Sequence, residues 1–349
     1  MQKESSNNNI LYEVIYVRLF LIIALVFYHA FAVFSGACAP IAGYPNIPVY
    51  SIIDKLSYAC LLETFVFISG YILGYQVSKK GDEYVQTKQF LIKKIKRLIV
   101  PSILFSILYV LIFNKTNRSA LSTIYDILSG SGHMWFLPML FWCFLFVYLL
   151  EKVRISNKWL VFIFPLMMCF SILPLPFRLN TAMYFFLFFW SGYGIQKYRF
   201  KKDYKTKTVF PIIAVCFIIS FILKINLNEL YINGGNCLVA NILNSVISII
   251  SRFICAVFGI ALLMMAALEL ANIKKHTKQT KQTQLVNLSD CCFGVYIFQQ
   301  FVLLLIERSG LANNVSPYLY PWITFLIALI TSLVLTIIVR RTKVGSKIL

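Results

Sequence analysis

A chain of 349 residues that is 59% hydrophobic and only 13% charged, yet carries a formal net charge of +20, is excluded from the ordinary soluble domains. It reads as an all-α polytopic membrane protein whose cations belong to loops, with no basic soluble module to bind nucleic acid. Nine cysteines, mostly inside apolar runs and none in CxxC spacing, predict neither a metal centre nor a structural disulfide.

Residues 1–9 are polar, hold one base, Lys3, and no small-residue cleavage site follows the next apolar run. That run, from about Leu11 to Phe34, is therefore expected to stay in place as the first helix. It carries Arg18 and His29, and ionisable groups in a membrane span are expensive and mark function. Eleven residues apart, they lie within about 20° on one helix face and about 16 Å apart along the axis. The bland alternative is an Arg18 that snorkels to the interface along its aliphatic stem. His29, beyond the apolar stretch from Leu19 to Phe27, has less to gain that way.

Nine further apolar runs are counted as crossings of the hydrocarbon core, the sixth span, Met183–Gln196, being short but aromatic-rich and ending before a basic loop. They cover Tyr50–Val77, Leu98–Phe113, Met134–Leu150, Trp159–Leu175, Met183–Gln196, Val209–Leu223, Val239–Ala271, Leu288–Ile306 and Trp322–Val339. The expectation is a bundle of about ten transmembrane helices forming one domain over 1–349, with no appended soluble domain. Its orientation follows from the basic residues. One set of loops, with both chain ends, holds 25 Lys and Arg, against five on the other side: Lys115, Arg118, Arg178, Lys224 and Arg308. Basic loops stay cytoplasmic, so both termini are placed on the cytoplasmic side, and the membrane is expected to be the plasma (inner) membrane. The same cations can attract anionic lipid headgroups.

Several stretches carry further information. Glu63 lies at mid-depth in the second run, just before Phe67-Ile68-Ser69-Gly70-Tyr71, and needs a donor or a cation. Arg252 in the eighth run lies at similar depth, so a purely structural ion pair between them is one reading. Lys93, Lys94, Lys96 and Arg97 run into Pro101 at the inner face, as a clamp for phosphates or as anchors on lipid headgroups. His133 and Trp135 open the fourth run in Gly132-His133-Met134-Trp135-Phe136-Leu137-Pro138, where Trp135 is either an interfacial aromatic or a sugar-stacking one. The ninth run holds Phe293-Gly294-Val295-Tyr296-Ile297-Phe298-Gln299-Gln300, whose amides by default bond neighbouring helices.

Taken together, these stretches resemble the integral-membrane acyltransferases of the acyltransferase 3 group, which acylate sugars and other extracytoplasmic acceptors. The resemblance rests on the Arg-x10-His spacing of Arg18 and His29, the Phe-Ile-Ser-Gly-Tyr segment, the basic run into Pro101, Trp135 to Pro138, and the segment from Phe293. It implies an acyl donor, usually acetyl-CoA, used from the cytoplasm. The acyl group would end on a hydroxyl of a surface polysaccharide or its lipid-linked precursor. Arg18 and His29 match the family's essential pair. Where many relatives carry a His after Tyr-Ile-Phe, this chain has Gln299.

On that reading, acyl transfer needs a base for the acceptor hydroxyl, and an imidazole suits the task at neutral pH. His29 is the choice, as base or as covalent acyl carrier. Arg18 would hold phosphate or carbonyl oxygens of the donor, and Lys93, Lys94, Lys96 and Arg97 its nucleotide end. Glu63 would orient His29 or pair with Arg252, with the first slightly favoured. The acceptor would lie near His133 and Trp135, with Arg252 among the substrate-facing residues. The competing classes are a flippase for a lipid-linked sugar and a non-catalytic scaffold. A flippase spreads charges over several helices and commonly shows an internal repeat, and this sequence shows none.

Overall fold

The computed structural model describes residues 10–113, 119–155, 157–198, 206–229, 238–273, 279–343 and 345–348. Lys3, Lys115, Arg118 and the basic residues within 199–205 and 274–278 lie outside them. Among the described residues every regular element is helical. In chain order they are α1 (Tyr12–Ser35), α2 (Pro48–Ser57), α3 (Leu61–Lys80), α4 (Glu83–Gln86), α5 (Lys88–Lys94), a π-helical turn (Ile95–Ile99) and α6 (Val100–Phe113). Then come α7 (Ala120–Ser129), a 3-10 turn (Gly132–Trp135), α8 (Phe136–Val153), α9 (Asn157–Phe170), a second 3-10 turn (Pro176–Arg178), α10 (Leu179–Lys197) and α11 (Thr206–Glu229). The chain ends with α12 (Leu238–Ile273), α13 (Gln279–Arg308), a third 3-10 turn (Leu311–Asn313), α14 (Tyr320–Arg341) and α15 (Gly345–Ile348).

Local sequence accounts for several boundaries. Gly36 ends α1 at a φ of 80°, a left-handed cap that glycine adopts without strain. Pro48 opens α2, where its missing N–H leaves nothing unpaired.

Eight helical stretches among the described residues are long and apolar enough to cross a membrane. The fifth and sixth predicted spans fall short of that measure. α9 has 14 residues with Pro165 inside, and the chain beyond it meets Pro174 and Pro176. α10 is 19 residues rich in aromatics and glycine, and Phe185, Phe186, Phe189 and Tyr193 are fully buried. The second predicted run is broken at Tyr58–Cys60 into α2 and α3. The seventh continues past Leu223 to Glu229, so Lys224, counted from sequence among the outer loops, lies within a helix.

The chain divides into two compact units. The first comprises residues 1–64 and 203–333, where α1 packs against α2, α12 and α13, and α11 against α12. Ala59, Phe221 and Cys255 form a buried cluster there, with Phe217 and Ile225 against it. Gly259 of α12 lies so close to Cys60 that a Cβ would stand 2.5 Å from its Sγ.

The second unit comprises residues 65–202 and 334–349, with α8 against α10, α4, α5 and the π-helical turn. Phe144 meets Phe189 edge-on at 4.8 Å. A Cβ at Gly70 or Gly74 would collide with the Phe189 or Tyr193 carbonyl oxygen, and one at Gly192 with that of Phe67. α3 and α10 therefore touch backbone to backbone, which small residues permit between membrane helices. Gly70 of the Phe-Ile-Ser-Gly-Tyr segment is thus a packing residue. Gly70→Ala is expected to destabilise the protein by about 1–3 kcal/mol, read as a lower melting temperature in detergent; an unchanged melting temperature would contradict the close contact.

Candidate active site

α1 is the spine of the first unit. Its core residues, among them Val17, Leu21, Leu25, Val26 and Phe31, are buried, while Arg18 and His29 are half-buried. The guanidinium of Arg18 lies close enough to α13 for its charge to bear on the Cys292 thiol. About 16 Å further along α1, His29 sits beside Tyr28, with ring centroids 5.0 Å apart. Tyr28 in turn stacks on Tyr58 at 4.0 Å, nearly parallel.

Tyr58 stands at the break between α2 and α3, where the chain turns into a polar cluster. Arg252 of α12 donates from Nε to Oε1 of Glu63 at 2.6 Å, with the Glu63 side chain 2% exposed and that of Arg252 36%. Lys224 of α11 donates to the Ala59 carbonyl at 3.2 Å and shares this environment. The charge of the Glu63–Arg252 pair reaches Tyr58, which interacts also with Tyr296 of α13. Of the two partners open to Glu63 from sequence, the structure supplies Arg252.

Beyond His29 an aromatic rim closes the same unit. Phe31 packs edge-on against Tyr50 at 5.2 Å and Trp322 at 5.1 Å. Trp322 donates to the Tyr50 hydroxyl at 3.2 Å, Tyr50 to the Tyr318 carbonyl at 2.9 Å, and Tyr44 to the Ala312 carbonyl at 3.0 Å. Asp54 of α2 is fully buried and bears electrostatically on Tyr28. Cys38, in the loop after α1, presents an edge to solvent. Desolvation nevertheless pushes its thiol above its ordinary value, and the Glu307 and Asp54 carboxylates add to the shift. It is therefore poorly suited to act as a thiolate nucleophile.

Residues 11–341 match the family described as an acyltransferase domain. The chain belongs to that family. Neither the curated proteins nor the solved structures hold a match to it. The protein is accordingly a membrane-embedded, acyl-transferring enzyme, and among the described residues no group of His, Cys, Asp and Glu is arranged to hold a metal ion.

The acyltransferase places its other sequence-predicted site residues in the second unit. Lys93, Lys96 and Arg97 are exposed around the π-helical turn. Lys94 turns inward, with Nζ 3.8 Å from the centre of the Phe144 ring and 5.3 Å from that of Phe90. A cation over a ring face is held in place, so Lys94 is packed inward while Lys93, Lys96 and Arg97 face outward. His133 is buried and Trp135 half-buried, and the Arg178 guanidinium lies 5.9 Å over the Trp135 ring.

Arg178 also lines a cavity of about 620 Å³ with Tyr109, Tyr125, Asp126, Gly132 and Asn180. Gly130 and Gly132, at φ of 83° and 57°, shape its wall. A second cavity of about 670 Å³ includes Lys80, Asp82, Glu151, Arg154 and Lys197. There Lys197 lies 2.7 Å from Glu151 and 3.1 Å from Asp82, and Tyr193 donates to Glu151 at 2.8 Å. Sequence reasoning passed over Asp54, Tyr58, Asp126 and Asn180. The signal for Asp54 was a lone carboxylate in an amphipathic turn after Pro48.

Proposed function

We propose that the protein is an O-acyltransferase that takes an acyl group, acetyl in the first instance, from cytoplasmic acetyl-CoA. It places that group on a hydroxyl of an extracytoplasmic sugar, either a surface polysaccharide or its lipid-linked precursor. The observation that carries this reading is the α1 stripe: Arg18 against α13 at one level and His29 among aromatic rings at another, in a chain of the acyltransferase family. The 25 to five division of basic residues supports a multi-pass plasma-membrane protein with both termini cytoplasmic. Counting α9 and α10 as the remaining pair of crossings gives ten, and an even number keeps the termini on one side.

Arg18 then lies on the donor side and His29 on the acceptor side. The acceptor hydroxyl attacks the thioester carbonyl, its proton passes to His29, and the coenzyme thiol leaves with a proton. Arg18 holds phosphate or carbonyl oxygens of the donor, and Lys93, Lys96 and Arg97 draw its nucleotide end to the inner face. The cavity walled by Tyr109, Tyr125, Asp126, Arg178 and Asn180 combines ring faces with hydrogen-bonding groups, the combination a sugar requires.

Arg18→Ala is expected to raise the KM for acetyl-CoA at least tenfold, since a charge-assisted contact to an anionic donor contributes about 1.5–3 kcal/mol. It should also remove the rise in melting temperature that acetyl-CoA gives the solubilised wild type. An unchanged KM together with an unchanged ligand-induced shift would show that Arg18 is a lipid-facing anchor.

A further inference from the structure

In the first unit, α13 carries the side chain of Gln299. It is fully buried, and neither Nε2 nor Oε1 has a hydrogen-bond partner. Gln300 beside it is only half-buried, with one such atom, Oε1. A buried amide left unpaired on both atoms lowers the stability of the folded protein and leaves a donor and an acceptor open to a group that enters during function.

The register of α13 shows where Gln299 sits. Cys292, the thiol that the Arg18 charge reaches, is seven residues earlier, and seven residues return a helix to within about 20° of the same face. Tyr296, which interacts with Tyr58, lies on that face between them. Tyr58 stacks on Tyr28, the neighbour of His29. Cys292 pairs with the Arg18 level of α1 and Tyr296 with the Tyr58 and Tyr28 end, so the two packed helices ascend together. Gln299 stands about 10 Å above Cys292 and about 4.5 Å past Tyr296, at the His29 end of the interval that begins at Arg18. A donor held at Arg18 and attacked at His29 must carry its acyl carbonyl through this interval.

We propose that Gln299 donates its side-chain N–H to the acyl carbonyl oxygen as the acceptor hydroxyl adds to the thioester. This rests on the acyl-transfer reading above. The new C–O bond forms as the carbonyl π pair moves onto oxygen, where the amide stabilises the charge. The pair returns as the C–S bond breaks, and the hydroxyl proton carried by His29 leaves with the thiolate. An uncharged donor suits the site, since it adds no charge to a buried position.

The test is the initial rate of labelled acetyl transfer from acetyl-CoA into the native acceptor pool of membranes, at varied acetyl-CoA. Gln299→Leu and Gln299→His are compared with wild type at matched protein levels, alongside melting temperatures of the solubilised proteins. Removing one such donor lowers kcat by about 10²–10³-fold in other acyl-transfer enzymes. Gln299→Leu is expected to show that loss, with KM for acetyl-CoA within threefold and a melting temperature equal to or above wild type, because an unpaired polar group has left the core. Gln299→His, which keeps an N–H donor, should recover at least tenfold of the loss.

The proposal is overturned if Gln299→Leu keeps kcat within threefold of wild type. It is equally overturned if rate and melting temperature fall together and Gln299→His recovers neither, the result of a packing role. Absence of transfer by the wild type would instead count against the acyl-transfer reading itself.

Discussion

His29→Ala is expected to lower acetyl transfer by about 10²–10⁴-fold, the usual contribution of a general base, with little effect on the amount of folded protein. The asymmetry follows from its surroundings. His29 is half-buried, and the buried face of α1 is built from residues such as Leu25, Val26, Ala30 and Phe31. Truncating the imidazole removes one partner of Tyr28 but leaves the Tyr28–Tyr58 stack and the rim of Tyr50 and Trp322 in place. A measurement of initial rates beside monodispersity in detergent checks both halves. Retention of more than a third of wild-type activity would remove His29 from the chemistry.

The second large effect concerns stability. Arg252→Met leaves the Glu63 carboxylate, 2% exposed, without the guanidinium that now meets it at 2.6 Å. Breaking fully buried pairs costs about 3–5 kcal/mol. Arg252 is 36% exposed, so solvent already screens part of the interaction and a loss of about 2–3 kcal/mol is expected. Glu63→Gln combined with Arg252→Met removes both charges and should recover most of that loss. Melting temperatures of the two single variants and the double variant test this coupling. A double variant as unstable as the sum of the singles would show that Glu63 and Arg252 act independently.

Much of this was legible in the sequence, for reasons that differ by element. α1 was bounded to within a residue or so because a long apolar run between a polar end and Gly36 leaves little choice. α12, expected over Val239–Ala271 and found over Leu238–Ile273, is equally uninterrupted. The break at Tyr58–Cys60 was not foreseen, since no proline or glycine marks it. Its determinants are tertiary: the Gly259 contact with Cys60 and the Lys224 bond to Ala59 come from residues far along the chain.

The same limit explains Glu63, whose partner Arg252 is 189 residues distant. Sequence depth alone could not choose between that guanidinium and His29. Lys224 was assigned to a loop because a first charge after an apolar run usually marks its end. Here α11 continues for five more residues, and the ammonium folds back onto the Ala59 carbonyl. Lys94 was grouped with its basic neighbours by spacing, and only the fold shows its ammonium over Phe144. Gln299 was read as a packing amide, and its isolation becomes visible only once the neighbouring side chains are in place.

The measurement that bears most directly on the central claim is transfer of radiolabelled acetyl from acetyl-CoA in membranes containing the protein, beside membranes with His29→Ala or Arg18→Ala at matched levels. The account predicts label in the polysaccharide or glycolipid fraction only where both residues are intact. No label in any fraction, with unmodified polysaccharide accumulating on one membrane face when the protein is absent, would contradict acyl transfer and favour movement of a lipid-linked sugar.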